Sequence, residues 1–420
     1  MLIAGEASGD LLAAELVSAL RGQLPDAQFF GAGGAKMSAA GVDLAFDLTQ
    51  HSVIGISDVL KNILKFRRLF NQLLALAIER KPDVVIGVDY GGFNLRFGHA
   101  IKEYVRDNPF SQWNPKIVQF VSPQVWASRP GRADKLARDY DLLLSIFPFE
   151  KDWYARRVPK LRVEFVGHPM VERYSELKKL NEADPKAWVN VGDVSRSYSR
   201  TAKLEYPWME ISPKGYTIPA ELNGKHLILL LPGSRTSELN RHLPPILSAA
   251  EKISNVFPQC FFRIVLPDEK FLDKVAGYES AEYLCEDRKI MEIHAGGLAQ
   301  SLSQATLAIA STGTVTMECA FFGVPTVTLY KTSWVTYEIA KRIVTVKSLT
   351  MPNILAGEEI YPEFVQHDAT PENISRAALE LLQDESRRTK IKSQLAKIIS
   401  SLGEPGAAGR AAAAILSLFK

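Results

Sequence analysis

The stretch Ala308–Tyr330, AIASTGTVTMECAFFGVPTVTLY, leaves a chain few ways to fold. Leu307–Ala310 is a short apolar run of strand character. Ser311, Thr312 and Gly313 are small, and Val315–Phe322 carries a helical pattern. Gly323 and Pro325 end that helix before the β-branched run Thr326–Tyr330. The order predicts a strand, a tight turn, a helix and a second strand. A helix N-terminus after such a turn attracts anions, because its unpaired N–H groups and its dipole point the same way. Glu318, about one turn into the helix, is placed to reach a ribose hydroxyl. On this stretch alone two readings stay open: a site for the diphosphate and ribose of a nucleotide, or a βαβ turn with no ligand.

A chain of 420 residues exceeds one ordinary core, so two domains are expected. The net charge of +3 gives no reason to expect a nucleic-acid partner. Cys260, Cys285 and Cys319 lie far apart, without metal-ligand spacing or a disulfide framework, which fits a reducing cytosol. The N-terminus lacks a basic region, and Glu6 and Asp10 interrupt its apolar run, so no signal peptide is expected. No apolar stretch is long enough to span a bilayer, so any lipid must be handled from the surface.

The same alternation recurs along the chain. Met1–Ala4 runs into Gly5-Glu6-Ala7-Ser8-Gly9-Asp10 and then a helix. The spacing is not that of a dinucleotide fingerprint, and two acids would repel a phosphate, so Gly5 and Gly9 suggest a close approach of sugar to backbone or a plain tight turn. Phe29–Gly34 repeats the strand and glycine turn. Asp83–Asp89, DVVIGVD, is a buried-type strand ending in an acid. In an open parallel sheet such an acid points to where ligands bind, and Asp89 can act as a general base or merely cap the next helix. Ser122–Arg129, SPQVWASR, suits a sugar or phosphate, with Trp126 as a stacking face. Gly167-His168-Pro169 suits a hinge. His226–Leu231 is a strong strand, and the Gly233-Ser234-Arg235 turn that follows can neutralise a diphosphate. Lys331–Lys347 reads as helical, and Cys285–Ile290 is too polar to assign.

One amphipathic stretch stands apart. Lys61, Lys65, Arg68 and Gln72 share a helix face, while Val59, Ile63, Phe66, Phe70 and Leu73 form another that Leu60, Leu64 and Leu69 widen. Such a helix can lie on an anionic membrane or pack on a sheet with a solvated basic edge.

The expected architecture is α/β: two Rossmann-like domains facing across a cleft. Residues 1–170 form an N-terminal domain and 171–225 an interdomain excursion. Residues 226–365 form a C-terminal domain, and 366–420 are terminal helices that could return to the first domain.

Several motifs taken together resemble lipid-A-disaccharide synthase. They are GEASGD at Gly5–Asp10, GVD and FNL within Gly87–Leu95, VSPQVWASR at Val121–Arg129, FPFE at Phe147–Glu150 and FVGHP at Phe165–Pro169. LLPGSR at Leu230–Arg235, STGTVTME at Ser311–Glu318, PNILAG at Pro352–Gly357 and the Pro362-Glu363…Gln366 run follow in the family's order. One departure is plain: Gly91-Gly92 stands where the family has Pro-Asp, which leaves Asp89 as the single acid there.

The resemblance implies a GT-B glycosyltransferase that joins UDP-2,3-diacylglucosamine to 2,3-diacylglucosamine 1-phosphate. The products are the β-1,6-linked lipid A disaccharide 1-phosphate and UDP. It implies Asp89 as base, and Gly233, Ser234, Arg235, Ser311, Thr312, Gly313 and Thr314 around the diphosphate with Glu318 on the ribose. Ser8, Asn94, Gln124, Trp126, Asn353 and Gln366 become candidates for sugar or uracil contacts. Leu60, Ile63, Phe66, Arg67, Arg68 and Phe70 become candidates for the membrane. No metal or other cofactor is expected. Partners would be the two acylated sugars and the inner-membrane surface, with the protein cytoplasmic and peripheral; a homodimer stays open. Alternatives are another UDP-sugar enzyme of the same fold, such as a peptidoglycan-lipid transferase or a UDP-N-acetylglucosamine 2-epimerase, or a non-catalytic acyl-sugar-binding protein.

Overall fold

The computed structural model describes residues 1–49, 56–175 and 225–420, with the side chains of 56–63 outside that description. The polar segment 176–224, expected as an excursion, lies outside the described residues, as do the side chains of Leu60 and Ile63. The chain divides into two compact units. One comprises Met1–Glu172, Ile343–Thr345 and Leu402–Lys420; the other comprises Arg173–Arg342 and Val346–Ser401.

The first unit is built on β1 (Leu2–Ala4), β2 (Phe30–Gly33), β3 (Asp43–Asp47), β4 (Val84–Val88), β5 (Lys116–Phe120), β6 (Leu142–Ser145) and β7 (Val163–Phe165). Every pairing is parallel, in the order β3-β2-β1-β4-β5-β6-β7. Helices cover both faces of such a sheet, so its central strands read as unbroken apolar runs rather than alternating ones. Ile3, Val85, Ile117 and Leu143 accordingly sit in one buried cluster. The chain order reverses between β1 and β4, where Ala4 lies opposite Val88. Ligands bind beyond the strand ends at such a reversal. The Gly5–Asp10 turn and Asp89 both leave the sheet there.

The second unit repeats the plan with β8 (His226–Leu231), β9 (Cys260–Leu266), β10 (Met291–Ala295), β11 (Leu307–Ser311), β12 (Thr326–Tyr330) and β13 (Glu363–Val365). Its order is β10-β9-β8-β11-β12-β13, again all parallel. The reversal falls between β8 and β11, where Leu231 lies opposite Ala310. The two turns singled out in the sequence, after Leu231 and after Ser311, therefore emerge side by side.

Local differences from the sequence reading have physical causes. The polar run before Met291 forms a π turn at Tyr283–Asp287 and delivers β10, whose Glu292 and His294 pair with each other at 3.3 Å. The expected helix at Lys331–Lys347 is confined to Trp334–Ile343. Beyond it Thr345 donates its backbone N–H to the Ala127 carbonyl at 2.9 Å. Gly167, with φ of 87°, makes room for Arg410, whose Nε donates to the Val166 carbonyl at 2.8 Å, while the His168 amide donates to Leu402. The C-terminal helix Ala407–Leu416 packs on the first unit's helix Ala7–Gln23. Among the described residues no helix is long and apolar enough to cross a membrane.

Candidate functional site

In the first unit the site begins with backbone strain. Asp89 and Tyr90 follow β4 with φ of 51° and 45°. Two successive non-glycine residues in the left-handed region are costly and need outside support. The support is a pair of amides. Asn94 Nδ2 and Gln119 Nε2 each donate to the Asp89 carbonyl at 2.8 Å, and the Asp89 amide donates to Phe120. Gln119 Nε2 also reaches the carbonyls of Phe120 and Val121 at 3.3 Å, and Val121 is itself left-handed at φ 67°. Both side chains are almost wholly buried, and Asn94 Oδ1 and Gln119 Oε1 have no hydrogen-bond partner among the described residues. Gly87 lies beneath them: a Cβ there would sit 2.6 Å from Gln119 Oε1 and 2.8 Å from the Asn94 side chain.

The strained turn holds up the Asp89 carboxylate. Burial raises its pKa above the ordinary value, while the Tyr90 amide and the Ser8 hydroxyl, both donating to it, favour the ionised form. Ser8, exposed at the start of the first helix, is thus brought to Asp89. The neighbouring glycines serve protein rather than sugar. A Cβ on Gly5 would meet the Tyr90 ring at 2.3 Å, and one on Gly9 would meet the Val88 carbonyl at 3.2 Å. Asp10 is also spoken for: Oδ1 accepts from Gly34 and Met37 at 2.7 and 3.1 Å, and Oδ2 from Lys36 at 2.9 Å. The anion site of the second glycine turn is filled by the chain's own carboxylate.

Four expected contact residues stand differently from their sequence reading. Asn94 is buried under Asp89 and positions it. Trp126 offers no stacking face, because it is only 7% exposed, lies edge-on to Phe149 and donates Nε1 to Glu150 at 3.0 Å. Asn353 is saturated, accepting from the Ile360 and Tyr361 amides and donating to the Tyr361 carbonyl and to Glu363 at 2.7 Å. Gln366 is closed on Thr332, accepting from its amide at 3.0 Å and donating to its carbonyl at 2.9 Å. The PNILAG and Gln366 motifs are loop-building devices, and their amides are not left over for a uracil. Gln124, at the N-terminus of the Val125–Ser128 helix, remains exposed.

In the second unit, Ser311 is buried at the end of β11 while Gly313 and Thr314 are exposed. Gly313 takes a φ of 141° that favours glycine, and Thr316 turns back on its carbonyl through both amide and hydroxyl. The amides of the helix's first residues, from Thr314 on, precede any intrahelical acceptor. The turn after β8 is built differently. Glu238 Oε2 accepts from the Ser234 and Arg235 amides at 3.0 and 3.3 Å, and its other oxygen pairs with the half-exposed Arg235 guanidinium at 3.4 Å. Gly233, with φ of 120°, is the residue that admits Glu238, so this turn contributes the Arg235 side chain more readily than backbone donors. Glu318 has its pKa raised by burial, opposed by a hydrogen bond from Tyr174 and by the Arg173 charge. Tyr174 and Arg173 were not visible as site residues in the sequence. Tyr174 also packs on the rings of Phe321 and Phe322.

The basic amphipathic helix, Ile56–Arg80, divides its residues clearly. Phe70 is partly buried and turned toward the core: its ring meets Phe93 and Phe97 edge-on at 5.4 and 5.5 Å. Phe66 is half-buried, whereas Leu64 is 78% exposed beside the exposed Arg67 and Arg68.

The family model for lipid-A-disaccharide synthetase matches residues 1–192 and 216–416. A lipid-A-disaccharide synthase of Trichlorobacter lovleyi is 34% identical, covering 100% of this chain and 97% of the relative. One from Myxococcus xanthus is 33% identical with the same coverage. Among solved structures, a putative UDP-N-acetylglucosamine 2-epimerase from Listeria monocytogenes aligns with a TM-score of 0.62 at 14% identity, over 100% of this chain and 96% of that one. That likeness speaks to fold alone, which is of the GT-B type. The family match and the relatives do not favour another UDP-sugar enzyme, whether peptidoglycan-lipid transferase or epimerase, or a non-catalytic acyl-sugar-binding protein.

Glu150 supplies a test of the first unit's construction. It is fully buried, and burial raises its pKa to about 7 against bonds from Trp126, Ser122 and the Phe147 and Ile146 amides. The native state therefore holds this proton more tightly than the unfolded chain does, whose carboxyl keeps the ordinary value of 4.5. Its stability contribution is full below the unfolded value and declines as pH rises through about 7, by on the order of 3 kcal/mol. Glu150→Gln keeps an acceptor for Trp126 and should flatten that decline, read as denaturant midpoints on either side of the window.

Proposed function

The chain belongs to the lipid-A-disaccharide synthase family, and from that premise we propose how its residues divide the work of a glycosyltransferase that forms the lipid A disaccharide. The donor is UDP-2,3-diacylglucosamine and the acceptor 2,3-diacylglucosamine 1-phosphate. An α-linked donor and a β-linked product require inversion, and so one in-line displacement. Asp89 takes the proton of the acceptor 6-hydroxyl as O6 bonds to the donor's anomeric carbon. The bond from that carbon to the diphosphate breaks, and its electron pair leaves with UDP. A single base and a stabilised leaving group suffice for this step.

The carrying observation is the Asp89 carboxylate at the β1–β4 reversal, on a left-handed turn held by Asn94 and Gln119. A base whose pKa is raised toward the working pH removes a proton more effectively once ionised. In the second unit the amides at Gly313 and Thr314 and the Arg235 guanidinium receive the diphosphate, and Glu318 accepts from the ribose, with Tyr174 its partner when no nucleotide is bound. Backbone dipoles and a guanidinium can stabilise a departing diphosphate without a metal. Acylated substrates also require a protein that works at a bilayer. We assign surface attachment to Leu64, Arg67 and Arg68, on the cytoplasmic face of the inner membrane.

Asp89→Asn should abolish UDP release from the acylated substrates while UDP still binds; near-normal turnover would place the base elsewhere. Since the base must be ionised, kcat/KM should fall as pH drops through its raised pKa. Ser8→Ala, which removes a donor to the carboxylate, should carry that acid limb to higher pH. Turnover should survive chelation of divalent cations; loss in chelator and recovery with magnesium would refute the metal-free scheme. Leu64→Ser combined with Arg67→Gln and Arg68→Gln should weaken sedimentation with anionic vesicles, each arginine counting for about fivefold. Undiminished sedimentation would remove the membrane assignment.

A further inference from the structure

The helices Gly91–Asp107 and Arg132–Asp139 lie against each other in the first unit, and a cavity of about 280 Å³ opens between them. Four cationic side chains, Arg96, Arg132, Lys135 and Arg138, line it. Arg138 is already committed: it pairs with Asp139 at 2.8 Å, and His99 pairs with the same carboxylate at 3.1 Å. Arg96, Arg132 and Lys135 have no acidic partner among the described residues. Their charges are felt by one another, since burial and the neighbouring Arg129 and Arg96 guanidiniums lower the Arg132 pKa. Like charges gathered at a concave, partly buried site carry a cost that an anion would relieve.

The position of the cavity narrows the choice of anion. Its rim includes Gly92, three residues beyond Asp89 and exposed, where a Cβ would meet nothing within 4 Å. Arg96 follows one helical turn later, roughly 6 Å along the axis, a distance that one hexose ring spans. Two arginine forks side by side suit the several oxygens of a phosphate monoester, and a lysine adds a point charge. A bilayer phosphodiester would bring one charge and need an apolar surface beside it, which Leu64 offers on a different helix.

We propose that this cavity binds the phosphate monoester of the acceptor sugar, Arg96 and Arg132 clamping its oxygens and Lys135 adding charge, so that the far side of the ring presents its 6-hydroxyl to Asp89. The assignment rests on the reading of Asp89 as the base. It makes Arg96 and Arg132 specificity determinants: they let the enzyme tell a phosphorylated acceptor from the same sugar with a free anomeric hydroxyl.

The test compares those two acceptors, with identical acyl chains, by UDP release at saturating donor in detergent. The wild-type enzyme should prefer the phosphorylated acceptor through KM. In Arg96→Gln/Arg132→Gln the KM for that acceptor should rise about tenfold to a hundredfold. The KM for the donor should stay within about twofold, and the preference should collapse toward parity. An equal loss on both acceptors, a rise confined to the donor, or a preserved preference would each overturn the assignment. Sedimentation with phosphatidylglycerol vesicles separates the headgroup: vesicle binding lost with acceptor preference intact also overturns it. Equilibrium binding of the phosphorylated acceptor to Asp89→Asn protein reads the cavity without turnover. Binding that vanishes when Arg96 and Arg132 are also replaced supports the cavity, and binding that persists overturns it. Normal turnover by Asp89→Asn itself would instead count against the base.

Discussion

The first unit depends on two hydrogen bonds to one carbonyl. Asn94 and Gln119 approach the Asp89 oxygen from the following helix and the neighbouring strand, both at 2.8 Å. Without them the left-handed pair Asp89–Tyr90 has no reason to persist, since each such residue costs on the order of 1–3 kcal/mol. With them the strand ends abruptly, the carboxylate stands clear of the sheet and Ser8 can reach it. The same two amides leave an oxygen each without a partner among the described residues. The structure thus accepts two unsatisfied buried acceptors, each costing about 1–3 kcal/mol, to hold one acid in place. Stability is given up locally where function needs a fixed geometry.

The two units use one plan with different outcomes at their glycine turns. In the first, Asp10 fills the amides of the Gly34 turn, so that helix end cannot take a phosphate. In the second, Glu238 fills the amides after β8, but the turn after β11 ends in exposed Gly313 and Thr314, on which no carboxylate of the described residues sits. A helix N-terminus is an anion site only when the protein has not supplied the anion itself. On the proposed reading, this is why one turn of the repeated strand–turn–helix plan, the one after β11, serves the nucleotide.

Much of the fold was legible because parallel sheets buried on both faces write themselves as apolar runs between small-residue turns. Val84–Val88, Leu142–Ser145 and Leu307–Ser311 are examples. β10 was not legible, because its polar Glu292 is accommodated by the buried Arg263 of β9 and by His294. In the candidate site, the proposed roles of Asp89 and the Ser311–Thr314 turn rest on their place after strands. The residues that stand differently from their sequence reading share one cause. Asn353, Gln366 and Trp126 are residue types that bind ligands, yet here their polar groups are consumed by the backbone or by Glu150. Phe70 sits on the expected helix but on the side that meets Phe93 and Phe97. Sequence shows which donors exist; only three-dimensional neighbours show which are already spent. Tyr174 and Arg173 were missed for the opposite reason, being distant in sequence from the Glu318 they serve.

The closeness of Gly87 to the two amides reaches beyond this chain. Its missing side chain is the space into which Gln119 Oε1 and the Asn94 side chain fit, at 2.6 and 2.8 Å from where a Cβ would stand. Any residue larger than glycine at 87 would displace an amide that holds Asp89. A shorter or charged residue at 119 would leave the Asp89 carbonyl half-supported and open a void above the strand. Positions 87, 94 and 119, which belong to two strands and a helix, are therefore free to drift only in concert. In a set of related chains they should change as a linked group, each lineage arriving at its own compatible trio.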